Sequence, residues 1–206
     1  AEVDAQLGRL FETLKARGDW DNTLVVLTSD HAEMMGDHWS MGKGGFFDGS
    51  YHIPLIIRDP ACTGGAGQTI SRFTSSADLM PTLCERMGVT PQNHVDGASL
   101  LAFLEGNEPA KWRDAAFFEF DFRDVETQAA EAYFGLTSTQ CNLSVIRDEK
   151  FKYVHFAGLA PLLFDLGRDP GEQNNLAEHP DYLGIRLRYA EKLLALRARH
   201  LDQTLA

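Results

Sequence analysis

The stretch Thr23-Leu24-Val25-Val26-Leu27-Thr28, together with the long segment after it, constrains the fold most. The run is apolar or β-branched throughout. Continuous rather than alternating apolarity marks a strand covered on both faces, as in a parallel α/β sheet. Residues 29–52 then form a long segment rich in Gly, His, Asp and Met. A loop of this length inside a compact domain is usually functional or disordered, and its aromatic and charged content argues for function.

The neighbouring segments supply the rest of an α/β pattern. Val3, Leu7, Leu10, Phe11 and Leu14 share one face of a helix over residues 1–18, ended by Gly18. Pro54-Leu55-Ile56-Ile57-Arg58 reads as a second short buried strand, closed by Asp59-Pro60. A Gly-rich loop covers 61–68, and residues 70–74 are a candidate strand. Ser75-Ser76-Ala77-Asp78 offers caps for a helix carrying Leu79, Met80, Leu83 and Met87, with Pro81 in its first turn and Gly88 at its end. Residues 98–104 read as a short helix.

Composition shifts near residue 107. Residues 1–106 are expected to belong to a sheet domain and 107–206 to a small α+β subdomain. In the second, residues 117–122, 142–147 and 152–156 read as strands of an antiparallel sheet, with a hairpin turn at Asp148-Glu149-Lys150. A long final helix is expected over 179–203. Tyr182, Ile185, Tyr189, Leu193 and Leu196 make one stripe along it, and Leu187, Leu194 and Leu201 a second. The stripes are either one broad buried face or one docking face and one contact for a partner chain.

Charge and cysteine usage narrow the function. Nineteen Lys and Arg stand against 30 Asp and Glu, a net charge of −11. Nucleic-acid backbone binding needs a basic face and is disfavoured. Small anionic substrates remain open, because a metal ion or one lysine can reverse the local field. Cys62, Cys84 and Cys141 are odd in number and widely spaced, which suggests neither a disulfide framework nor a zinc knuckle, and reduced thiols in a cytoplasmic protein are expected. No apolar run reaches the length of a membrane span, and the N-terminus carries no signal-peptide pattern.

The chemistry concentrates after the first strand. In open α/β sheets ligands bind where strands end, and Thr28-Ser29-Asp30-His31 stands at such an end. Asp30 offers a hard oxygen and His31 a borderline nitrogen, which together suit one divalent ion once the strand has given way to a loop. Lys43 follows in Met41-Gly42-Lys43-Gly44-Gly45-Phe46-Phe47, where flanking glycines let the backbone approach a ligand closely. An ammonium there can neutralise charge on a transferred or leaving oxyanion. Taken singly, such a strand-end Asp is more often a cap or turn former, and such a lysine is more often solvated.

In combination they resemble a known family. Residues 28–38 (Thr-Ser-Asp-His-Ala-Glu-Met-Met-Gly-Asp-His), then Gly42-Lys43, then Ser50-Tyr51-His52-Ile53-Pro54-Leu55, are similar to the sulfatase branch of the alkaline phosphatase superfamily. Leu163-Phe164-Asp165-Leu166, Asp169-Pro170-Gly171-Glu172 and Asn175-Leu176-Ala177 resemble the segment that sulfatases carry before their last helix. Residues 78–83 and 95–100 fit in order between them. Residues 120–124, 145–148, 152–156 and Gly45-Phe46-Phe47-Asp48 lean towards the phosphonate monoester hydrolases within that branch.

The resemblance implies an α/β fold: the C-terminal part of an alkaline-phosphatase-like sheet domain over 1–106, and an α+β subdomain with an antiparallel sheet and long terminal helix over 107–206. It implies hydrolysis of an anionic phosphonate monoester, phosphodiester or sulfate ester by a formylglycine made from a Cys-x-Pro-x-Arg cysteine. Asp30 and His31 would be metal ligands, and Lys43 would contact the substrate's charged oxygens or the nucleophile. Most arylsulfatases carry Asp-Asn, suited to calcium. The imidazole of His31 moves preference to manganese, with zinc, iron or calcium as alternatives. Choline-sulfatase-like members also carry Asp-His. Asp37 and His38 are candidates to orient the ligands, although structural hydrogen bonding is the commoner role. Asp165 and Asp169 are expected to fix turns, and Glu172 to cap or pair locally.

The departures from the family are equally specific. Cys62 precedes Thr-Gly-Gly, Cys84 precedes Glu-Arg-Met, and Cys141 precedes Asn-Leu-Ser, so none fits the nucleophile motif. The chain is therefore expected to be the C-terminal portion of the enzyme, inactive alone, with the missing N-terminal part and a second copy as partners. The alternatives are a choline-sulfatase-like or aryl sulfatase, and a non-catalytic interaction module.

Overall fold

The computed structural model describes residues 2–91 and 94–200. Its elements, in chain order, are α1 (Glu2–Ala16), β1 (Val25–Thr28), β2 (Met34–Met35), β3 (Met41–Gly42), α2 (Asp48–Tyr51), β4 (Leu55–Arg58), α3 (Leu79–Arg86), α4 (Leu101–Leu104), β5 (Ala116–Asp121), α5 (Ala129–Phe134), β6 (Asn142–Arg147), β7 (Phe151–Phe156), β8 (Leu162–Asp165) and α6 (Leu183–Arg199). Two compact units emerge. The first takes residues 1–30, 54–71 and 76–111; the second takes 31–53, 72–75 and 112–206. The loop after β1 thus belongs with the C-terminal sheet.

In the first unit β1 and β4 pair antiparallel, with Val25 opposite Arg58 and Thr28 opposite Leu55. The apolar run suggests a parallel sheet, so the antiparallel direction is the difference. Within this chain Val25, Val26 and Leu27 are half-buried and Ile56 is exposed. Apolarity reports a tendency to be covered, not strand direction. α1 forms as its periodicity requires, and Gly18 with φ 75° closes it, yet none of its residues is buried. Residues 70–74 form no strand. Asp78 does not cap α3 with its side chain. Its buried carboxylate accepts from the Ala98 N–H at 2.8 Å, and Thr82 Oγ accepts from the Leu100 N–H at 2.8 Å. A Cβ at Gly97 would lie 2.0 Å from the Ala77 carbonyl oxygen, so only glycine lets this segment lie against the turn that leads into α3.

The second unit is a four-stranded antiparallel sheet in the order β5-β6-β7-β8. Its strands alternate strictly between two faces. Ile146, Tyr153 and Leu163 face α6 and pack with Tyr189 and Leu193, with Tyr182, Ile185 and Leu196 at the margin. The first stripe of the last helix is therefore the docking face. Leu187 and Leu194 of the second stripe are exposed. Ala1, Leu201 and the rest of the expected helix to residue 203 lie outside the described residues. Leu143, Val145, Val154 and Phe164 point to the opposite face.

Two elements of this unit were not anticipated. β8 is four residues long and lies inside the tail signature, where Asn175 Oδ1 accepts from the Leu163 N–H at 3.0 Å and the Leu176 N–H donates to the Leu163 carbonyl at 2.8 Å. The signature thereby covers the sheet's last strand. α5 follows a turn built on Asp124, whose carboxylate accepts from the Thr127 hydroxyl and from the N–H groups of Thr127, Ala129 and Glu126, which brings its pKa to about 2. No helix among the described residues is long and apolar enough to cross a membrane.

Candidate active site

The loop that carries the candidate residues is built by a minimal hairpin. β2 and β3 pair Met34 with Gly42 and Met35 with Met41. Gly36, at φ 116°, starts the turn, and its N–H donates to the Ser40 carbonyl at 3.0 Å. His38 and Trp39 also take positive φ, at 52° and 58°. Antiparallel pairing returns the residue after Gly42 alongside the residues before Met34, which brings Lys43 back to His31.

The contact is direct. Lys43 Nζ stands 2.8 Å from His31 Nε2, and His31 Nδ1 stands 2.9 Å from the Ala32 carbonyl oxygen. A carbonyl only accepts, so Nδ1 carries the ring hydrogen. Nε2 is then the lone-pair nitrogen that accepts from the Lys43 ammonium. This is the tautomer that a metal-ligating histidine needs when its other nitrogen is held by a backbone carbonyl. Lys43 is exposed and His31 half-buried. Asp30 closes the first unit's opening segment, exposed, with the Ser29 hydroxyl 3.4 Å from its Oδ1. Among the described residues no group of three or more His, Cys, Asp or Glu could hold a metal. The donor types fit a divalent ion, but the donor count supplies only part of a shell.

The other two candidates occupy the hairpin turn. Asp37 is exposed, and the His38 ring stacks on Phe47 with centroids 3.6 Å apart. The Asp169 carboxyl lies below its usual value. There burial pushes upward, and the backbone N–H groups of Gln173 and Asn174 outweigh it.

The rest of the loop rests on the sheet face away from α6. Phe46 meets Phe156 edge-on at 6.0 Å and stacks near Phe164 at 6.2 Å, while Tyr51 stacks on Phe118 at 4.1 Å. Gly44 has φ 120°, and a Cβ there would come within 3.0 Å of the Phe120 ring. The conformation favours glycine, and a side chain there would also press on the Phe120 ring. Beneath the loop lies a feature that sequence patterning did not reveal: Lys152 of β7, fully buried. Its ammonium reaches Asp48 Oδ1 at 2.5 Å and the Phe46 carbonyl at 3.1 Å, and it forms an ion pair with Glu172 Oε1. Arg147 of β6 adds a contact to Asp48 Oδ2 at 3.3 Å. Burial pushes the Asp48 carboxyl up, but Lys152 and then Arg147 outweigh it, so its pKa lies below the usual 3.8. Glu172 therefore does not pair locally; it pairs across the sheet face.

Comparison with known proteins agrees with this architecture. Residues 1–89 match the Sulfatase family model. The chain is 46% identical over 204 residues to the multifunctional alkaline phosphatase superfamily protein PehA of Trinickia caryophylli, covering 99% of this chain and 40% of that protein. Its structure is similar to the phosphonate monoester hydrolase of Agrobacterium radiobacter (TM-score 0.96, 66% identity, 99% of this chain and 40% of that one). It is also similar to the phosphonate monoester hydrolase SpPMH of Silicibacter pomeroyi (TM-score 0.93, 39% identity, 100% and 40%). Its first 89 residues therefore carry a sulfatase-family domain, and over almost its whole length the chain is similar to proteins of the alkaline phosphatase superfamily. Within that class it is similar to phosphonate monoester hydrolases, and it spans about 40% of the length of these relatives.

Proposed function

We propose that this chain is the C-terminal portion of a hydrolase of anionic esters, with phosphonate monoesters or phosphodiesters as the favoured substrates. The observation that carries the reading is the His31–Lys43 contact: the hairpin sets an ammonium against an imidazole whose lone pair is already oriented. Asp30 and His31, adjacent in the chain, would hold a divalent metal, manganese favoured; Nε2 has a single lone pair, so the ion would take the place of the Lys43 ammonium there and leave Lys43 free for the substrate. That ion would supply Lewis acidity and favour a deprotonated nucleophile. Lys43 would neutralise charge on the substrate's non-bridging oxygens or on the nucleophile. The nucleophile itself, formylglycine in this reading, has no Cys-x-Pro-x-Arg counterpart among Cys62, Cys84 and Cys141. The 206 residues alone are then inactive.

The test uses the full-length protein that contains this chain. A phosphonate monoester and an aryl or choline sulfate are compared as substrates, before and after chelation and manganese restoration. Lys43→Ala is expected to lower kcat on the preferred substrate by about 10²–10³-fold. Unchanged turnover in that variant, or full activity after exhaustive chelation, would overturn the assignment. A preference for the sulfate ester would move it to the sulfatases proper.

A further inference from the structure

We propose that Glu172, Lys152 and Asp48 form a buried clamp that positions the loop carrying Lys43, so that Glu172 and Lys152 act on the reaction through that loop. The inference rests on the role proposed for Lys43 in catalysis.

A fully buried ammonium is strongly unfavourable unless acceptors surround it. Lys152 faces three: Asp48 Oδ1, the Phe46 carbonyl and Glu172 Oε1. The first two are hydrogen bonds and the third is an ion pair, so two carboxylates and one carbonyl answer the buried charge. Two of the three acceptors belong to the site loop, and the third belongs to the Asp169–Glu172 segment. Asp48 is held at both ends. Its carboxylate meets Lys152 and Arg147, and its N–H donates to Glu172 Oε2 at 3.3 Å. Glu172 itself sits at φ 55°, a conformation that side chains other than glycine rarely adopt.

From Asp48 the constraint runs both ways along the chain. Backwards, Phe47 stacks on His38, Phe46 packs on the sheet, and the Gly44-Gly45 joint leads to Lys43. Forwards, α2 carries Ser50, whose carbonyl accepts from the Ala32 N–H at 3.0 Å, next to His31. One clamp therefore bears on both partners of the His31–Lys43 contact. An ion cluster that served only to hold the sheet would have no need to draw its acceptors from this loop.

Amide hydrogen exchange and steady-state kinetics on the full-length protein test the proposal, with Glu172→Gln and the milder Asp48→Asn. Both variants are expected to speed exchange at residues 43–50 by about tenfold or more while β6, β7 and α6 keep their protection. In both, kcat is expected to fall by about ten- to a hundredfold with a smaller change in KM. If Glu172→Gln fails to fold, Asp48→Asn alone decides. Protection lost evenly over β5–β8, or a loosened loop with unchanged kcat, overturns the proposal. Exchange is read without turnover. If Lys43→Ala proves silent while the loop still loosens, the catalytic reading has failed and the clamp has not.

Discussion

The four-stranded sheet closes its two faces by different physics. On one, α6 lays Tyr189 and Leu193 over Ile146, Tyr153 and Leu163. On the other, the site loop lays Phe46 and Tyr51 over Phe118, Phe156 and Phe164, and it also answers a buried lysine. An apolar face accepts many covers of suitable shape and volume. A buried ammonium accepts only a cover that places acceptors around it. The helix face thus needs a hydrophobic stripe, whereas the loop face needs Asp48 and Glu172 at defined points. The face nearest the candidate chemistry is the one that specifies its cover.

Removing an acceptor is the severest way to break this contrast. Glu172→Ala should cost about 3–5 kcal/mol in denaturant unfolding, because Lys152 stays buried with one partner fewer. A loss below about 1 kcal/mol would reduce the cluster to the weight of a surface pair. On the helix face, Leu163→Ala should cost about 2–5 kcal/mol through the cavity it leaves. Its exchange at residues 43–50 should stay as in the parent, and loosening there would show that the faces are not independent.

Smaller effects sharpen the same comparison. The Tyr189 hydroxyl donates to Asp148 at 2.5 Å, so Tyr189→Phe should cost about 1 kcal/mol by thermal or denaturant melting.

Titration probes one group on each face at opposite ends of the pH range. Asp48 has a depressed pKa, so its contribution is present above the usual 3.8 and is lost as pH falls below it. Burial, the hydrogen bond to Asp148 and that carboxylate's charge raise Tyr189 above its usual 10.0. Its contribution is present below pH 10 and is lost as pH climbs further. Burial also raises Tyr51 on the loop face and Tyr153 on the helix face. Stability curves of Tyr189→Phe should therefore lose part of the alkaline limb and keep the acid limb of the parent. Curves that superimpose with the parent's at both ends would show that Tyr189 contributes nothing to the alkaline limb.

Much of this architecture is legible in the sequence. The stripe of α6, the strands around residues 117–122, 142–147 and 152–156, the turn at 148–150 and the ordered matches to the sulfatase family all follow from periodicity, turn chemistry and motif spacing. β8 was not legible, because four residues at the head of the tail signature are too short a run to show a period. The hairpin around Gly36 was hidden because its paired stretches are only two residues each. α5 had a local signal in Asp124 followed by Thr127, a capping arrangement outside any clear apolar period.

Sequence alone determined which residue types this protein brings to its chemistry: an Asp-His pair after a strand, a lysine between glycines, and no cysteine in a nucleophile motif. It also determined the two apolar stripes of the last helix, because side-chain period is a local property, and the structure then chose the one that docks. Only the tertiary structure decided that β1 and β4 run antiparallel and that Lys43 returns to His31. It alone decided that Glu172 reaches across the sheet to Lys152 and Asp48. Those outcomes depend on strand direction and on which distant groups share a buried volume, and a charge buried in the fold chooses its partners by proximity in space rather than along the chain.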